Sequence, residues 1–479
     1  MKKLFALLLA VLLLVSCGNV NTTPETTTPA PVEEETPDYY GIAVKNLEES
    51  GVALTVDYDV YKNILDALAN EEFVAPKNII LIIGDGMGFN ICSYTKVVRE
   101  EVLYYGDFMM TQLPVKGQSA TDNIGGTTTD SAAGGTALAT GYKTANSHVA
   151  VDPTGEIEYQ TVLELAASLG KRTGVVATTD LADATPASFT SHIDSRDRKT
   201  MIASHQLDRL ANGTIDLMIG PGWGYAWSSN TFTKASRETA LANGVKILQD
   251  WDEIVTAELP FAGYLKKDGD LPIQSGTPTL AEMTNLAISK LDGTDEGFFL
   301  MVEGSCIDHA GHSNDFDRAV NEVTEFDKAI AVAMYYVALH PDTILIITAD
   351  HETGGVTLPE NFSAENVAEA KYTTGSHTSA DVPVYAIGYG TEALEGENIN
   401  TDIANATSET PHSGTAKRMM DITTNSRTES RRMRLRLYTT CFQTNLPFLN
   451  QGAYFLQKSE SSTPVAVTIA NKAKTDAAI

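Results

Sequence analysis

Seven residues, Lys77-Asn78-Ile79-Ile80-Leu81-Ile82-Ile83, form an almost unbroken β-branched and aliphatic run that stops at Gly84-Asp85-Gly86-Met87-Gly88. A half-exposed strand would alternate polar and apolar residues. A continuous apolar run of this length, closed by glycines, is the pattern of a strand buried on both faces of a parallel sheet. Similar runs recur at Thr173 to Thr178, Phe298 to Val302, Thr343 to Thr348 and Val382 to Ile387, with helical periodicity near 160–169, 279–291 and 316–339. The alternation predicts an α/β fold: a doubly wound, mainly parallel central sheet flanked by helices. Polar residues wait where the runs end: Asp85, Glu303 with Asp308, and Asp350 with His351. In open α/β sheets ligands bind beyond the carboxyl ends of the strands, so these distant residues are expected in one crevice.

That crevice needs a chemical centre, and Thr129-Asp130-Ser131-Ala132-Ala133 supplies a candidate. A polar run leading into alanines predicts a helix that starts at Ser131, where unpaired N–H groups and the positive dipole end favour an anion. By itself this is also how an ordinary helix cap reads. The surrounding ligand types decide between the two. Asp308 and His312 are four residues apart and share a face of any helical turn. Asp350 and His351 add a carboxylate and an imidazole, and His377 follows. Mixed nitrogen and oxygen donors without thiolate suit zinc in a catalytic site.

The set now resembles bacterial alkaline phosphatase, from about Lys77 to about Asp402. The family's motifs appear in order: Gly84-Asp85-Gly86-Met87-Gly88, Thr129-Asp130-Ser131-Ala132-Ala133, Thr140-Gly141-Tyr142-Lys143-Thr144, Asp183-Ala184-Thr185-Pro186-Ala187, Ser195-Arg196, Val302-Glu303-Gly304 and Asp350-His351-Glu352-Thr353-Gly354-Gly355. The resemblance implies Ser131 as nucleophile and Arg196 as phosphate clamp. It implies two zinc ions, one on Asp308, His312 and His377, the other on Asp85, Asp350 and His351. It implies one magnesium ion on Asp85, Thr185 and Glu303, with Asp183 acting through bound water. The expected reaction is hydrolysis of phosphate monoesters through a phosphoserine; homodimers are common in the family. The alternatives are a phosphodiesterase or sulfatase of the same superfamily, or a non-catalytic surface lipoprotein that kept the fold. Ser131, where those related enzymes generally use threonine or a modified residue, speaks against the first, and the full ligand set speaks against the second. His309, after Asp308, stands where the family varies, which bears on the metal at the third site.

The flanks read differently. Lys2 and Lys3 followed by the apolar run Leu4 to Val15 predict a signal peptide over residues 1–16, too short to span a bilayer comfortably. Leu14-Val15-Ser16-Cys17 resembles a bacterial lipobox, which would make Cys17 a lipid anchor and place the protein at the cell envelope. Residues 17–38 form a Thr/Pro/Glu-rich tether, 39–404 the catalytic domain with an insertion at about 201–277, and 405–479 an atypical tail. That tail carries ten Lys and Arg but four Asp and Glu over residues 411–479, in a chain whose net charge is -28. It is either a basic extension or the product of a frame error. The acidic balance excludes nucleic-acid binding by general electrostatics. Cys92, Cys306 and Cys441, widely spaced, predict neither a disulfide framework nor a metal site.

Overall fold

The computed structural model describes residues 76–99 and 108–408. The expected signal peptide, Cys17, the tether and nearly all of the basic tail lie outside the described residues. Among the described residues there are twelve strands: β1 Asn78–Gly84, β2 Val115–Ala120, β3 Arg172–Ala177, β4 Leu217–Gly220, β5 Lys246–Leu248, β6 Phe261–Tyr264, β7 Phe298–Gly304, β8 Thr343–Thr348, β9 Glu352–Thr353, β10 His377–Thr378, β11 Val382–Ile387 and β12 Gly396–Ile399. Ten of them form one sheet in the order β12-β2-β11-β8-β1-β7-β3-β4-β6-β5, and β9 pairs with β10 in a separate ladder. Within the large sheet β11 alone runs against its neighbours, pairing antiparallel with both β8 and β2. The segment expected as an insertion contributes β4, β5 and β6 to the same sheet.

Strand β1 sits between β8 and β7, in register from Ile79 opposite Phe299 to Gly84 opposite Gly304. All seven of its residues are buried. Ile79, Leu81 and Ile83 join a cluster with Leu138, Ala139, Val162, Leu163 and Ala166 from helices on one face. Ile80 and Ile82 point to the other face and are equally buried, which is why the run shows no alternation. The helices Leu280–Leu291 and Phe316–Leu339 cover the sheet there. No helix among the described residues is long and apolar enough to cross a membrane.

Helix Val162–Ser168 opens with a capping box in which Thr161 and Glu164 satisfy each other's backbone N–H groups. Glu164 also binds His192 at 2.8 Å and Arg209 at 2.9 Å. Burial raises the Glu164 carboxyl, but the His192 hydrogen bond and charge, with Arg209, outweigh it and bring it down to about 2. A carboxyl depressed on folding stabilises the fold above its unfolded value and loses that contribution as pH falls from about 4.5 through about 2. Glu164→Gln is therefore expected to cost about 2 to 3 kcal/mol at pH 7. In urea titrations the gap to wild type should narrow below about pH 4.5; a gap independent of pH would show that Glu164 acts through packing alone.

Helix Asn400–Ser408 runs past the boundary expected at residue 404 and buries Ile403, Ala404 and Thr407. Ile403 and Ala404 belong to the same cluster as Leu138 and Ala139. The folded body thus reaches at least Ser408.

Candidate active site

The strand order brings the carboxyl ends of β8, β1, β7 and β3 side by side, and each delivers part of the site. Asp85 follows β1, Asp350 and His351 lie just beyond β8, Glu303 is the last residue but one of β7, and Asp183 and Thr185 lie beyond β3. Helix Cys306–His312, after β7, carries Asp308 and His312, and β10 carries His377. The expected crevice is where the sheet would place it.

Ser131 is the first residue of helix Ser131–Thr140 and is buried. Asp130 caps the helix, accepting from the Ala133 N–H at 3.0 Å. Its other oxygen accepts from the Ser147 N–H at 2.9 Å and from Arg196 Nη1 at 3.4 Å. One carboxylate thus joins the helix of Ser131 to the guanidinium. The helix comes so close to β8 that a Cβ on Gly134 would stand 2.8 Å from the Asp350 carbonyl; only glycine fits there.

Two groups of donors converge. Around His351, Nε2 lies 3.1 Å from Ser131 Oγ, 3.2 Å from Asp350 Oδ2 and 3.4 Å from Asp85 Oδ1. Around Asp308, Oδ2 lies 3.3 Å from His312 Nε2 and Oδ1 lies 3.5 Å from His377 Nε2, while those two nitrogens face each other at 3.1 Å. The remote nitrogens are already used: His312 Nδ1 meets the Gly375 carbonyl at 2.8 Å and His377 Nδ1 the Thr129 carbonyl at 3.0 Å. Donating outward fixes both Nε2 lone pairs inward, as in imidazoles that bind metal.

The two groups have the donor set of a cation site. Asp85 Oδ1 and Asp350 Oδ2 are buried without hydrogen-bond partners, a costly state for a carboxylate. Burial first, then repulsion from Asp350, Asp308 and Glu303, holds the Asp85 carboxyl well above its ordinary range. Burial and Asp308 raise Asp350 to about 6, and burial, reinforced by Asp183 and Asp350, raises Glu303 to about 8. A shared cation would relieve all three. Thr185 Oγ1 lies 3.5 Å from Asp85 Oδ2, and Glu303 accepts from Ser305 at 2.7 Å. Asp183 reaches the cluster through Arg196, whose Nη2 is 3.0 Å from its Oδ1.

All eleven expected site residues therefore gather at one end of the sheet. His309 does not turn toward them: its Nδ1 pairs with Asp270 at 2.8 Å, and Arg318 takes the other Asp270 oxygen at 2.5 Å. Cys306, expected to have no part in metal binding, has its sulfur near the same Asp270 and His309. Asp270 is engaged there by both Arg318 and His309.

The sequence profile of alkaline phosphatases matches residues 76–371. The chain belongs to the alkaline phosphatase family. It is 33% identical to alkaline phosphatase 3 of Bacillus subtilis over 414 residues, covering 68% of this chain and 87% of that one. With alkaline phosphatase H of Pseudomonas aeruginosa it shares 28% identity, over 76% of this chain and 86% of that one. The solved alkaline phosphatase of the Antarctic bacterium TAB5 superposes with a TM-score of 0.62 at 30% identity, covering 70% of this chain and 98% of that one. The protein is thus an alkaline phosphatase and hydrolyses phosphate monoesters.

In this phosphatase Thr353, two residues after His351, touches both donor groups. The Thr353 hydroxyl is 2.5 Å from Asp308 Oδ1 and 3.2 Å from His351 Nδ1. Accepting from Nδ1–H and donating to the carboxylate, it orients one ligand of each donor group and keeps His351 Nε2 free. Thr353→Val keeps the shape and removes the hydroxyl. It is expected to weaken the binding of a divalent metal about ten- to a hundred-fold in competition with a chromogenic chelator, and Thr353→Ser should restore it. Unchanged affinity in the valine variant would leave Thr353 with a packing role only.

Proposed function

We propose that this phosphatase works through a covalent phosphoserine on Ser131, with two zinc ions and one magnesium ion as cofactors. The observation that carries the reading is that His351 Nε2, 3.1 Å from Ser131 Oγ, is met by two buried acceptors without hydrogen-bond partners, Asp85 Oδ1 and Asp350 Oδ2. Asp308, His312 and His377 would hold one zinc; Asp85, Asp350 and His351 the second; Asp85, Thr185 and Glu303 the magnesium, with Asp183 ordering its waters. Bound there, the ions would lower the pKa of the serine hydroxyl and take up charge on the attacking and departing oxygens of an in-line displacement.

The chain's own residues do the rest. Ser131 Oγ forms the new P–O bond while the ester P–O bond opposite it breaks and releases the alcohol. Water then displaces the serine, so two displacements at phosphorus retain its configuration. The start of helix Ser131–Thr140 offers backbone N–H groups and the positive dipole end to the phosphoryl oxygens. Arg196 supplies a planar fork that matches two non-bridging oxygens, which a lysine would not. Magnesium suits an all-oxygen set that leaves several waters in place, and a variant of the TAB5 enzyme has been solved with magnesium bound.

The test is to quench turnover of a labelled aryl phosphate in acid and map the label. Label on Ser131, absent from Ser131→Ala, is expected. Turnover with no covalent label under single-turnover conditions would point to direct attack by water.

Residues 1–17 support export and a lipid anchor on Cys17, and the motif set, which ends before residue 405, supports a tail without a chemical role. Truncation after residue 410 keeps helix Asn400–Ser408 and should keep kcat/KM. A truncated protein that folds but loses turnover would place part of the tail in the site.

A further inference from the structure

The residue that most clearly shares in the site without belonging to any motif is Lys199, the first residue of helix Lys199–Ala211. Its ammonium lies 2.8 Å from Asp183 Oδ2 and 3.1 Å from Asp180 Oδ2, and 5.6 Å from the centre of the Tyr225 ring. Asp180 is buried and held in turn by the Gly269 N–H, 2.7 Å from its other oxygen. Asp183 Oδ1 takes Arg196 Nη2 at 3.0 Å and the Ala184 N–H at 2.7 Å. The two oxygens of Asp183 are thus divided between two cations, one of which is the phosphate clamp.

We propose that Lys199 is a positioning residue that divides the Asp183 charge, leaving Arg196 free for phosphate and moderating the pull of Asp183 on the hydrated cation beside it. The inference rests on the reading of Arg196 as the clamp and of Asp183 as a partner of magnesium-bound water. Without Lys199, the whole Asp183 charge falls on Arg196 and on the magnesium side. Arg196 then pairs more tightly with Asp183 and the site loses one positive charge, so phosphate binds less well. The same change makes the magnesium side more negative, so magnesium binds better. Opposite signs on two ligands distinguish this from a general loosening of the site, which would weaken both.

The probes are inorganic phosphate and magnesium, titrated calorimetrically into full-length enzyme loaded with zinc but not magnesium. Lys199→Met is expected to raise the phosphate Kd about ten-fold and to lower the magnesium Kd about three- to ten-fold. Lys199→Arg should restore both to within about three-fold of wild type. Asp180→Asn, which leaves Lys199 to Asp183 alone, should move both constants the opposite way, and it decides the matter if the methionine variant folds poorly. Shifts of the same sign, or none, overturn the proposal. Arg196→Ala separates it from the reading beneath: if that variant loses phosphate affinity while Lys199→Met does not, only the role of Lys199 falls. If Arg196→Ala binds phosphate as wild type does, the clamp reading falls, and the role of Lys199 falls with it.

Discussion

Stripping the metals from this phosphatase is expected to abolish turnover, by about a thousand-fold or more, and to lower its melting temperature. Zinc with magnesium should restore both. The activity loss follows because a serine hydroxyl near neutral pH is a weak nucleophile, and the imidazole 3.1 Å from Ser131 Oγ also lies against two carboxylates. The stability loss follows from the buried charges. Asp85, Asp350, Asp308 and Glu303 are all buried within one site, and an ion present at a thousand times its Kd contributes about 4 kcal/mol to the folded state. Activity assays, calorimetry and elemental analysis on one preparation check both. Full activity in protein shown by elemental analysis to be metal-free would end the metal mechanism.

Arg196→Ala and Ser131→Ala are expected to differ in which substrates they harm. A monoester dianion offers two oxygens to Arg196 besides those near the metals, whereas a diester has lost a charge and gained a substituent there. Deleting a charge-assisted bidentate contact should cost about 2 to 4 kcal/mol, or about thirty- to a thousand-fold in monoester kcat/KM, with little effect on a diester. Ser131→Ala removes the hydroxyl proposed as the nucleophile for both and should damage both. The measurement is kcat/KM for a matched aryl phosphate monoester and diester in the three proteins. Equal losses on both substrates in Arg196→Ala would show that the guanidinium does not act as a monoester clamp.

The core of the sheet was legible in the sequence because burial on both faces leaves a local trace. The runs at Thr343 to Thr348 and Val382 to Ile387 coincide with β8 and β11, and those at 77, 173 and 298 with β1, β3 and β7 to within one or two residues. Strands β2 and β12 left no such trace: Val115–Ala120 and Gly396–Ile399 lie at or next to the sheet edge, the first mostly half-buried and the second largely exposed, and hold Lys, Gln, Glu and Asn. Short β4, β5 and β6 went unread because three or four residues carry too little periodicity against the surrounding loop and helix signals. The reversed direction of β11 was equally invisible, since strand composition does not encode which way a neighbour runs.

The same division holds in the site. The sequence by itself determined the chemical inventory: Ser131 before an alanine-rich helix, Asp308 and His312 one turn apart, and ligands at the ends of buried runs, each of which is a property of residues within a few positions of one another. Only the tertiary structure decided that Thr353 shares its hydroxyl between Asp308, 45 residues away, and His351. It alone decided that Asp130 links the helix of Ser131 to Arg196, 66 residues away, and that Asp183 is divided between Arg196 and Lys199. The physical reason is that a hydrogen bond or ion pair depends on a separation of about 3 Å, and that separation is set by the order and register of β8, β1, β7 and β3. Register is a property of the packed sheet, and no single stretch of the chain contains it.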